Sequence, residues 1–316
     1  MKSNLKPKKN RRWLRNMIIT LVLVVIGGLA GCALAMPREI RQIEKDNHAA
    51  AAALQAELPG AFHDLAGNGR SIHYVAVGAD KTKPLILFIH GSPGDWTAWA
   101  RYLNDATLRQ RARMMAVDRP GFGGSGGGLV ERSLGRQSAE IAPLLEQAAP
   151  GQKVIVVGHS YGGPVAVRLG MDYPGKVTDL IILAGAVDPG QEHTMWYQYP
   201  ADWWPITRVL PGALVVANRE IRALKGELTD MLPRWSGLTQ RVSILQGDQD
   251  DLVPPANADF AEQHLTHAAA LQVIRIPGMN HFIPWTKYDL VKAELLKHLD
   301  AGADPAAPGV SGGRLQ

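Results

Sequence analysis

The chain has 316 residues, of which 46% are apolar and 20% are charged, so it can bury the core of one large α/β domain and is not generally disordered. Seven of its 34 basic residues, and none of its 29 acidic ones, fall within residues 1–15. The remaining 27 basic residues are balanced by the acidic ones, which excludes the basic folded surface that nucleic-acid binding requires.

Residues 17–36 follow this basic run and contain no charge. A helix of 20 residues can cross the ~30 Å hydrocarbon core of a bilayer, and the basic flank predicts that residues 1–15 stay cytoplasmic while the rest is exported. Three fates fit this stretch: a retained signal anchor, cleavage after Ala33-Leu34-Ala35, or lipidation of Cys32, because Leu29-Ala30-Gly31-Cys32 resembles a bacterial lipobox. All three place the folded domain outside the cytoplasm, on the periplasmic or cell-surface side.

The segments that flank the domain have distinct compositions. Residues 37–59 are polar and then alanine-rich, which predicts a helical spacer between the membrane and the domain at 60–300. Residues 301–316 are rich in Gly, Pro and Ala, which predicts a disordered tail. Cys32 is the only cysteine, so no intrachain disulfide is possible.

Short apolar runs alternate with helical patterns across the domain. The predicted strands are 71–78, 84–90, 114–118, 153–158, 180–185, 242–247 and 271–276. The predicted helices are 134–147, 164–173, 256–267 and 286–299. Runs that are apolar throughout are typical of strands buried on both faces, and their alternation with helices predicts an α/β fold: a mostly parallel sheet with helices on both faces.

About 50 residues between Val187 and Val242 show no clear strand. They contain four of the eight tryptophans, namely Trp196, Trp203, Trp204 and Trp235. An insertion of this size exceeds an ordinary connection and predicts a small helical cap at about 188–241, over the carboxyl ends of the strands. Its aromatic residues either line an apolar pocket or only pack the cap onto the body.

The sequence VIVVGHSYGG at 154–163 contains a G-x-S-x-G pattern around Ser160. A predicted buried strand precedes it and a predicted helix follows it, which is the context that a nucleophile elbow requires. The glycines permit a turn so tight that the serine hydroxyl stands clear of the sheet. This context predicts that Ser160 is a nucleophile.

A serine hydroxyl needs a base near neutral pH. Of the ten histidines, His281 follows the last predicted strand, at the sheet edge where such loops converge on the serine. His159 is adjacent to Ser160, so its side chain points elsewhere and we interpret it as a packing or pocket residue. His90 ends a strand, and we expect it to be structural. The predicted base is therefore His281.

The imidazole must be held in one tautomer by an acceptor. Asp248, Asp250 and Asp251 all follow the predicted strand at 242–247, and the residues alone leave the three open. With Ser160, an aspartate and His281 in this chain order, residues 60–300 resemble the α/β-hydrolase superfamily. The run after Gly247 resembles the family pattern G-x-x-D-x-x-V-P, which implies that Asp250 is the acceptor.

Two further motifs agree with this resemblance. Residues 90–94, HGSPG, resemble the family's H-G-x-P oxyanion loop, which implies that the backbone N–H groups of Ser92 and Tyr161 bind the oxyanion. Residues 118–125, DRPGFGGS, resemble a supporting turn of the family. The latter also contains a G-x-G-x-x-G spacing, but no helix opens at once and no strand-ending acid follows, so we expect no nucleotide site. We expect no cofactor and no metal.

Within this superfamily the residue type of the nucleophile indicates the class of reaction. Epoxide hydrolases and haloalkane dehalogenases have an aspartate at the elbow, where this chain has a serine. The serine at position 160 implies an acyl-enzyme mechanism, so the substrate is expected to be an ester, thioester, lactone or amide. The predicted reaction is hydrolysis of a small to medium apolar carboxylic ester. Three alternatives stay open: a carbon–carbon bond hydrolase or haloperoxidase-type activity on the same triad, an aminopeptidase related to proline iminopeptidases, and a non-catalytic binding module. Ser92 departs from the H-G-G-P-G loop of the aminopeptidases. The expected partners are a small ester-like molecule and the membrane.

Overall fold

The computed structural model describes residues 37–66 and 70–302. The predicted anchor, cleavage site and lipidation residue within 1–36, and most of the predicted tail, lie outside the described residues. Within the described ranges, no helix is both long and apolar enough to cross a bilayer.

The core of the fold is one eight-stranded sheet. Its strands are β1 (Phe62–Ala66), β2 (Ser71–Val77), β3 (Leu85–Ile89), β4 (Arg113–Val117), β5 (Val154–His159), β6 (Asp179–Leu183), β7 (Arg241–Gly247) and β8 (Ala270–Ile276). Their order in the sheet is β1-β2-β4-β3-β5-β6-β7-β8. The β1–β2 and β2–β4 pairs are antiparallel and all the others are parallel, which confirms the predicted mostly parallel sheet.

The central strands explain the apolar runs in the sequence. All residues of β3, β4, β5 and β6 are buried, because helices cover both faces of the sheet. Leu87 and Val156 belong to the buried cluster on one face, and Phe88 and Val157 belong to the cluster on the other. In the register, Gly158 pairs with Ile89 of β3, so the elbow begins where the parallel strands end.

Helices and short 3-10 turns fill the connections. The α-helices are Arg38–Glu57, Ala100–Leu103, Ala106–Arg111, Leu134–Ile141, Gly162–Asp172, Trp204–Thr207, Gly212–Met231, Ala256–His264, Ile283–Thr286 and Tyr288–Asp300. The 3-10 turns are Pro59–Ala61, Trp96–Trp99, Ala142–Gln147, Trp196–Gln198, Pro200–Asp202 and Leu232–Gly237. Each of the four predicted helices has a counterpart, although the one at 134–147 changes to a 3-10 turn at Ala142, next to Pro143.

The insertion between β6 and β7 is helical, and its long helix is Gly212–Met231. The apolar side of that helix is buried through residues such as Leu224 and Leu228. Of the four tryptophans in the insertion, only Trp235 is buried, with its ring edge-on to Phe260 at 5.3 Å. The other three are exposed, so packing onto the body does not account for them.

The segment at 37–59 is helical, as predicted, but it does not project as a separate spacer. Leu54 is completely buried and Ala51 nearly so, because they form an apolar stripe on an otherwise polar helix. Hydrogen bonds fix the same helix to the body: Asn104 Nδ2 donates to the Ala50 carbonyl at 2.8 Å, and Trp285 Nε1 donates to Asn47 Oδ1 at 2.9 Å. The helix Arg38–Glu57 is therefore part of the domain.

Candidate active site

Ser160 lies in a strained turn between β5 and the helix Gly162–Asp172. Its φ angle is 55°, in the left-handed region that non-glycine residues rarely adopt. A Cβ atom at Gly158 would lie 2.2 Å from the Gly162 carbonyl oxygen, and one at Gly162 would lie 2.4 Å from the Ile89 carbonyl oxygen. Glycine is therefore required on both sides of the serine. Backbone hydrogen bonds fix the turn, including one from the Ser160 N–H to the Leu183 carbonyl at 3.0 Å.

The helix after the elbow starts two residues beyond the serine. Its first N–H groups and its macrodipole place partial positive charge beside the nucleophile. Tyr161 immediately precedes this helix, so its N–H belongs to the same end. The local structure therefore favours negative charge next to Ser160, as an oxyanion intermediate requires.

Asp250 and His281 form a buried pair on the loops after β7 and β8. The carboxylate Oδ2 lies 2.8 Å from His281 Nδ1, and the exposed fraction is 3% for Asp250 and 6% for His281. Oδ1 accepts hydrogen bonds from the backbone N–H groups of Leu252 at 2.9 Å and Val253 at 2.8 Å. This arrangement assigns the proton to Nδ1 and leaves Nε2 as the basic nitrogen.

The other two acids of this loop are placed differently. Asp248 and Asp251 are both exposed. Asp248 Oδ1 accepts a hydrogen bond from the Gly278 N–H at 2.7 Å and so closes the β7 and β8 loops against each other. The structure therefore brings Asp250, alone of the three predicted candidates, against the imidazole.

His159 supports the loop of the predicted base. Its Nε2 donates to the His281 carbonyl oxygen at 3.1 Å, and the two imidazole rings lie 4.8 Å apart. The Trp285 ring packs edge-on against it at 5.2 Å. Burial, together with His281 beside it, lowers the pKa of His159 well below its usual value, so it stays neutral. These contacts make it a positioning residue for His281.

The loop after β3 lies directly against the elbow. A Cβ atom at Gly91 would lie 2.9 Å from the Ser160 Cβ, so the backbone that precedes Ser92 passes next to the nucleophile. This is where the resemblance places an oxyanion loop. Within the described part of the chain, the buried Ser92 hydroxyl has no hydrogen-bond partner. The candidate donors, the N–H groups of Ser92 and Tyr161, thus belong to two segments that both border Ser160.

His90 fixes the conformation of that loop. Its Nδ1 donates to the Gly91 carbonyl at 2.7 Å, and its Nε2 accepts a hydrogen bond from the Arg119 N–H at 2.9 Å. Both bonds require a neutral imidazole protonated at Nδ1. Burial, helped by the Arg119 guanidinium, lowers the pKa of His90 to about 3 and keeps it neutral. His90 therefore has a structural position, next to the site.

Arg119 is a residue of the site that the sequence reasoning missed. Its guanidinium donates to the His90 carbonyl at 2.9 Å and the Gly91 carbonyl at 3.0 Å. It also forms a bidentate ion pair with Glu220 of the cap helix, at 2.8 and 2.9 Å. The sequence indicated this role only through the position of Arg119 in the turn DRPGFGGS, which we interpreted as structural support.

The glycine-rich part of that turn folds around Asp118. The carboxylate accepts a hydrogen bond from the Gly124 N–H at 2.8 Å, and a Cβ atom at Gly123 would lie 2.1 Å from its Oδ2. The next helix begins only at Leu134. The turn therefore lacks the helix N-terminus that a dinucleotide fingerprint needs. In residues 37–66 and 70–302, no group of three or more His, Cys, Asp or Glu could hold a metal ion.

Comparison with known proteins agrees with this architecture. Residues 84–208 match the model of the α/β-hydrolase fold. Epoxide hydrolase 1 of Caenorhabditis elegans is 32% identical over 139 residues, which are 42% of this chain and 33% of that protein. The dihydrolipoyllysine-residue acetyltransferase component of the acetoin cleaving system of Cupriavidus necator is 25% identical over 299 residues, covering 83% of this chain and 77% of the relative.

Solved structures show the same fold. The crystal structure of a membrane phospholipase A, a bacterial virulence factor, superposes with a TM-score of 0.61 at 20% identity and covers 90% of this chain and 99% of that one. The chain spans only about a third of the nematode relative, so its own activity has to be argued from its residues.

Proposed function

Because this chain belongs to the α/β-hydrolase superfamily, we propose that it is a serine hydrolase with Ser160 as nucleophile, His281 as general base and Asp250 as the residue that orients the imidazole. The observation that carries the proposal is the buried Asp250–His281 pair at 2.8 Å. It lies on loops that leave the same sheet edge as the strained Ser160 turn. The Nε2 atom of His281, the Ser160 hydroxyl and the N-terminus of the helix Gly162–Asp172 then lie at the same edge of the sheet.

The proposed cycle has two steps. His281 Nε2 takes the Ser160 proton as the hydroxyl attacks an acyl carbon, and the N–H groups of Ser92 and Tyr161 bind the oxyanion. His281 then returns the proton to the leaving alkoxide, which leaves an acyl-serine. A water molecule, deprotonated by the same nitrogen, releases the acid and restores the serine. Asp250 stabilises the imidazolium in both steps and keeps its charge.

The proposed substrate class is a small to medium apolar carboxylic ester. Similarity to an epoxide hydrolase raises epoxide opening as another reaction. Attack of a serine on an epoxide would form an ether, which water activated by His281 cannot cleave, whereas attack on an ester forms an acyl-serine that water hydrolyses. The serine at position 160 therefore favours esters. We also propose that residues 17–36 keep the domain on the outer side of the membrane.

The test is labelling of the full chain in detergent with a fluorophosphonate. Wild type should label in a stoichiometric reaction, and Ser160→Ala and His281→Ala should not, because the probe reacts only with an activated serine. Ser236→Ala is the matched control, since this serine is exposed on the cap, away from the elbow. Folded wild type that does not label would refute the proposed nucleophile and favour a binding module.

A panel of substrates tests the class. Short acyl esters should be hydrolysed by wild type and not by Ser160→Ala, while matched epoxides and anilides should be hydrolysed far more slowly. Faster epoxide opening than ester hydrolysis would contradict the proposal.

A further inference from the structure

The cap exposes a cluster of aromatic side chains that the proposed mechanism does not use. This aromatic patch consists of Trp196, Tyr197, Tyr199, Trp203 and Trp204. Trp196 is 79% exposed, Trp203 57% and Trp204 62%. Monomeric soluble proteins rarely expose large contiguous apolar patches, and such patches mark protein or membrane interaction sites. Trp and Tyr, with an apolar ring and a polar tip, are the residues enriched at membrane–water interfaces.

The helix Arg38–Glu57 shows at which side of the domain the preceding chain arrives. Near its start, Glu39 Oε2 accepts a hydrogen bond from Asn280 Nδ2 at 3.3 Å, next to His281. At its end, Glu57 Oε1 accepts one from Arg109 Nη1 at 2.7 Å, just before the amino end of β4. The helix therefore runs from the carboxyl edge of the sheet to its amino edge, and residue 37 stands at the edge that carries the candidate site.

The uncharged stretch at 17–36 ends immediately before this helix. If it crosses a bilayer, the membrane surface lies next to the carboxyl edge, the edge from which the cap also leaves after β6. Exposed cations accompany both features: Arg38 and Arg41 on the first turns of the helix, and Arg208, whose guanidinium lies 4.8 Å from the Trp204 ring. Such residues fit the phosphates of lipid headgroups.

We propose that the aromatic patch docks on the lipid bilayer that holds residues 17–36, and that the candidate site receives amphipathic, lipid-like esters from that surface. The exposed aromatics on the cap carry the docking, and the direction of the helix Arg38–Glu57 adds to it through the proposed membrane span at 17–36. The substrate part of the proposal rests on the proposed serine hydrolase function, and the docking part does not.

Docking is tested by fluorescence quenching. The full chain is reconstituted in liposomes of phosphatidylcholine and phosphatidylglycerol with brominated acyl chains, which quench tryptophans at the bilayer. Wild type should be quenched strongly, and a Trp196→Ser/Trp203→Ser/Trp204→Ser variant should lose most of this quenching. Trp99→Phe is the control, because Trp99 is buried and its loss should leave the quenched intensity, in absolute terms, unchanged.

Equal quenching of wild type and the triple variant would overturn the docking. Coverage of the patch by another protein surface would also overturn the docking. Cross-linked dimers that the triple variant abolishes would assign the patch to a contact with a second copy of the chain. Cross-links from 196–204 to 17–36 would assign it to a contact with the chain's own apolar segment.

The route of the substrate is tested by kinetics. The triple variant should hydrolyse a long-chain ester in vesicles on the order of tenfold more slowly than wild type, while its rate on a short water-soluble ester should stay near wild type. Ala149→Glu, on the opposite edge of the sheet, should change neither rate. An equal loss on both esters would contradict entry from the bilayer. Strong quenching without hydrolysis of either ester would refute the proposed function and leave the docking intact.

Discussion

Arg119 and Glu220 form a bidentate ion pair in which both side chains are completely buried. The pair joins the turn after β4 to the cap helix, and the same guanidinium binds the carbonyls of His90 and Gly91. One charged group, the Arg119 guanidinium, thus contacts both the cap helix and the loop after β3. The Glu220 carboxylate neutralises the charge of the Arg119 guanidinium. The guanidinium also donates a hydrogen bond to Gln137 Oε1 at 2.9 Å.

Glu220→Gln should therefore destabilise the protein and disturb the site. Removing one partner leaves the Arg119 charge buried without compensation, which costs about 3–5 kcal/mol in such pairs. Urea unfolding should show this loss, and ester hydrolysis by the folded fraction should fall as well. Asp230→Asn on the same helix is the control, because Asp230 is exposed and should change the free energy of unfolding by less than about 0.5 kcal/mol. A stable Glu220→Gln variant would show that the pair does not hold the cap.

Asp250→Asn should lower kcat/KM for an ester by roughly 10²–10⁴-fold, because the amide no longer stabilises the imidazolium or imposes the Nδ1–H tautomer. KM should change little. Asp251→Asn removes an exposed neighbouring carboxylate and should leave the rate near wild type. A reversed pattern would assign the acceptor to Asp251 and would contradict the buried pair with His281.

Gly91→Ala should abolish most activity without unfolding the protein. The new methyl group would meet the Ser160 Cβ at 2.9 Å, so the loop and the nucleophile must move apart. A shift of that kind should cost about 10²-fold or more in kcat, since oxyanion donors and nucleophile lose their alignment. Gly175→Ala is the matched control, because a Cβ there has open space. Normal activity of Gly91→Ala, with a normal melting temperature, would exclude this loop from the site.

A second buried network has the connectivity of a triad but different chemistry. His298 Nδ1 lies 2.8 Å from Asp179 and its Nε2 lies 2.8 Å from Ser243, whose hydroxyl donates to Glu294 at 2.6 Å. Burial opposes charge on His298, but hydrogen bonds to Asp179 and Glu294 outweigh it and raise the pKa of the imidazole. A protonated His298 donates to the serine instead of accepting its proton. Ser243→Ala should therefore leave fluorophosphonate labelling unchanged.

The same network should make stability depend on pH in two windows. Because the folded-state pKa of His298 is raised, its contribution is fully present below 6.5 and is lost as the pH rises through the raised value. Burial alone would raise the pKa of Glu294, but hydrogen bonds from His298 and Ser243 lower it to about 2, so its contribution is present above 4.5 and is lost as the pH falls towards 2.

Chemical unfolding of His298→Gln across pH 5–9 checks the upper window. The variant should lose more stability relative to wild type at pH 5 than at pH 9, whereas His267→Gln, an exposed control, should show a flat difference. A difference for His298→Gln that does not change with pH would mean that folding leaves the pKa of His298 unshifted, and a larger loss at pH 9 than at pH 5 would mean that the imidazole is kept neutral in the folded protein.

Local patterns predicted seven of the eight strands, because a strand buried on both faces needs an unbroken apolar run, and β3 to β6 have one. The strand that the sequence missed, β1, reads FHDLA and is partly exposed at the edge of the sheet, where no such run is needed. The G-x-S-x-G elbow could also be predicted from the sequence. Its glycines are required because a Cβ atom there would collide with backbone a few residues along the chain or at the end of β3.

By itself the sequence determined the sheet, the elbow of Ser160 and the choice of His281 as candidate base, since each depends on periodicity or on a short motif. The family resemblance implied Asp250 among three neighbouring acids, and the tertiary structure placed its carboxylate against the imidazole. Only the tertiary structure paired Arg119 with Glu220 across 101 positions and packed the helix Arg38–Glu57 against the body. It also placed the cap aromatics outward. These outcomes depend on which surfaces segments far apart in the chain bury together, and no local pattern encodes that.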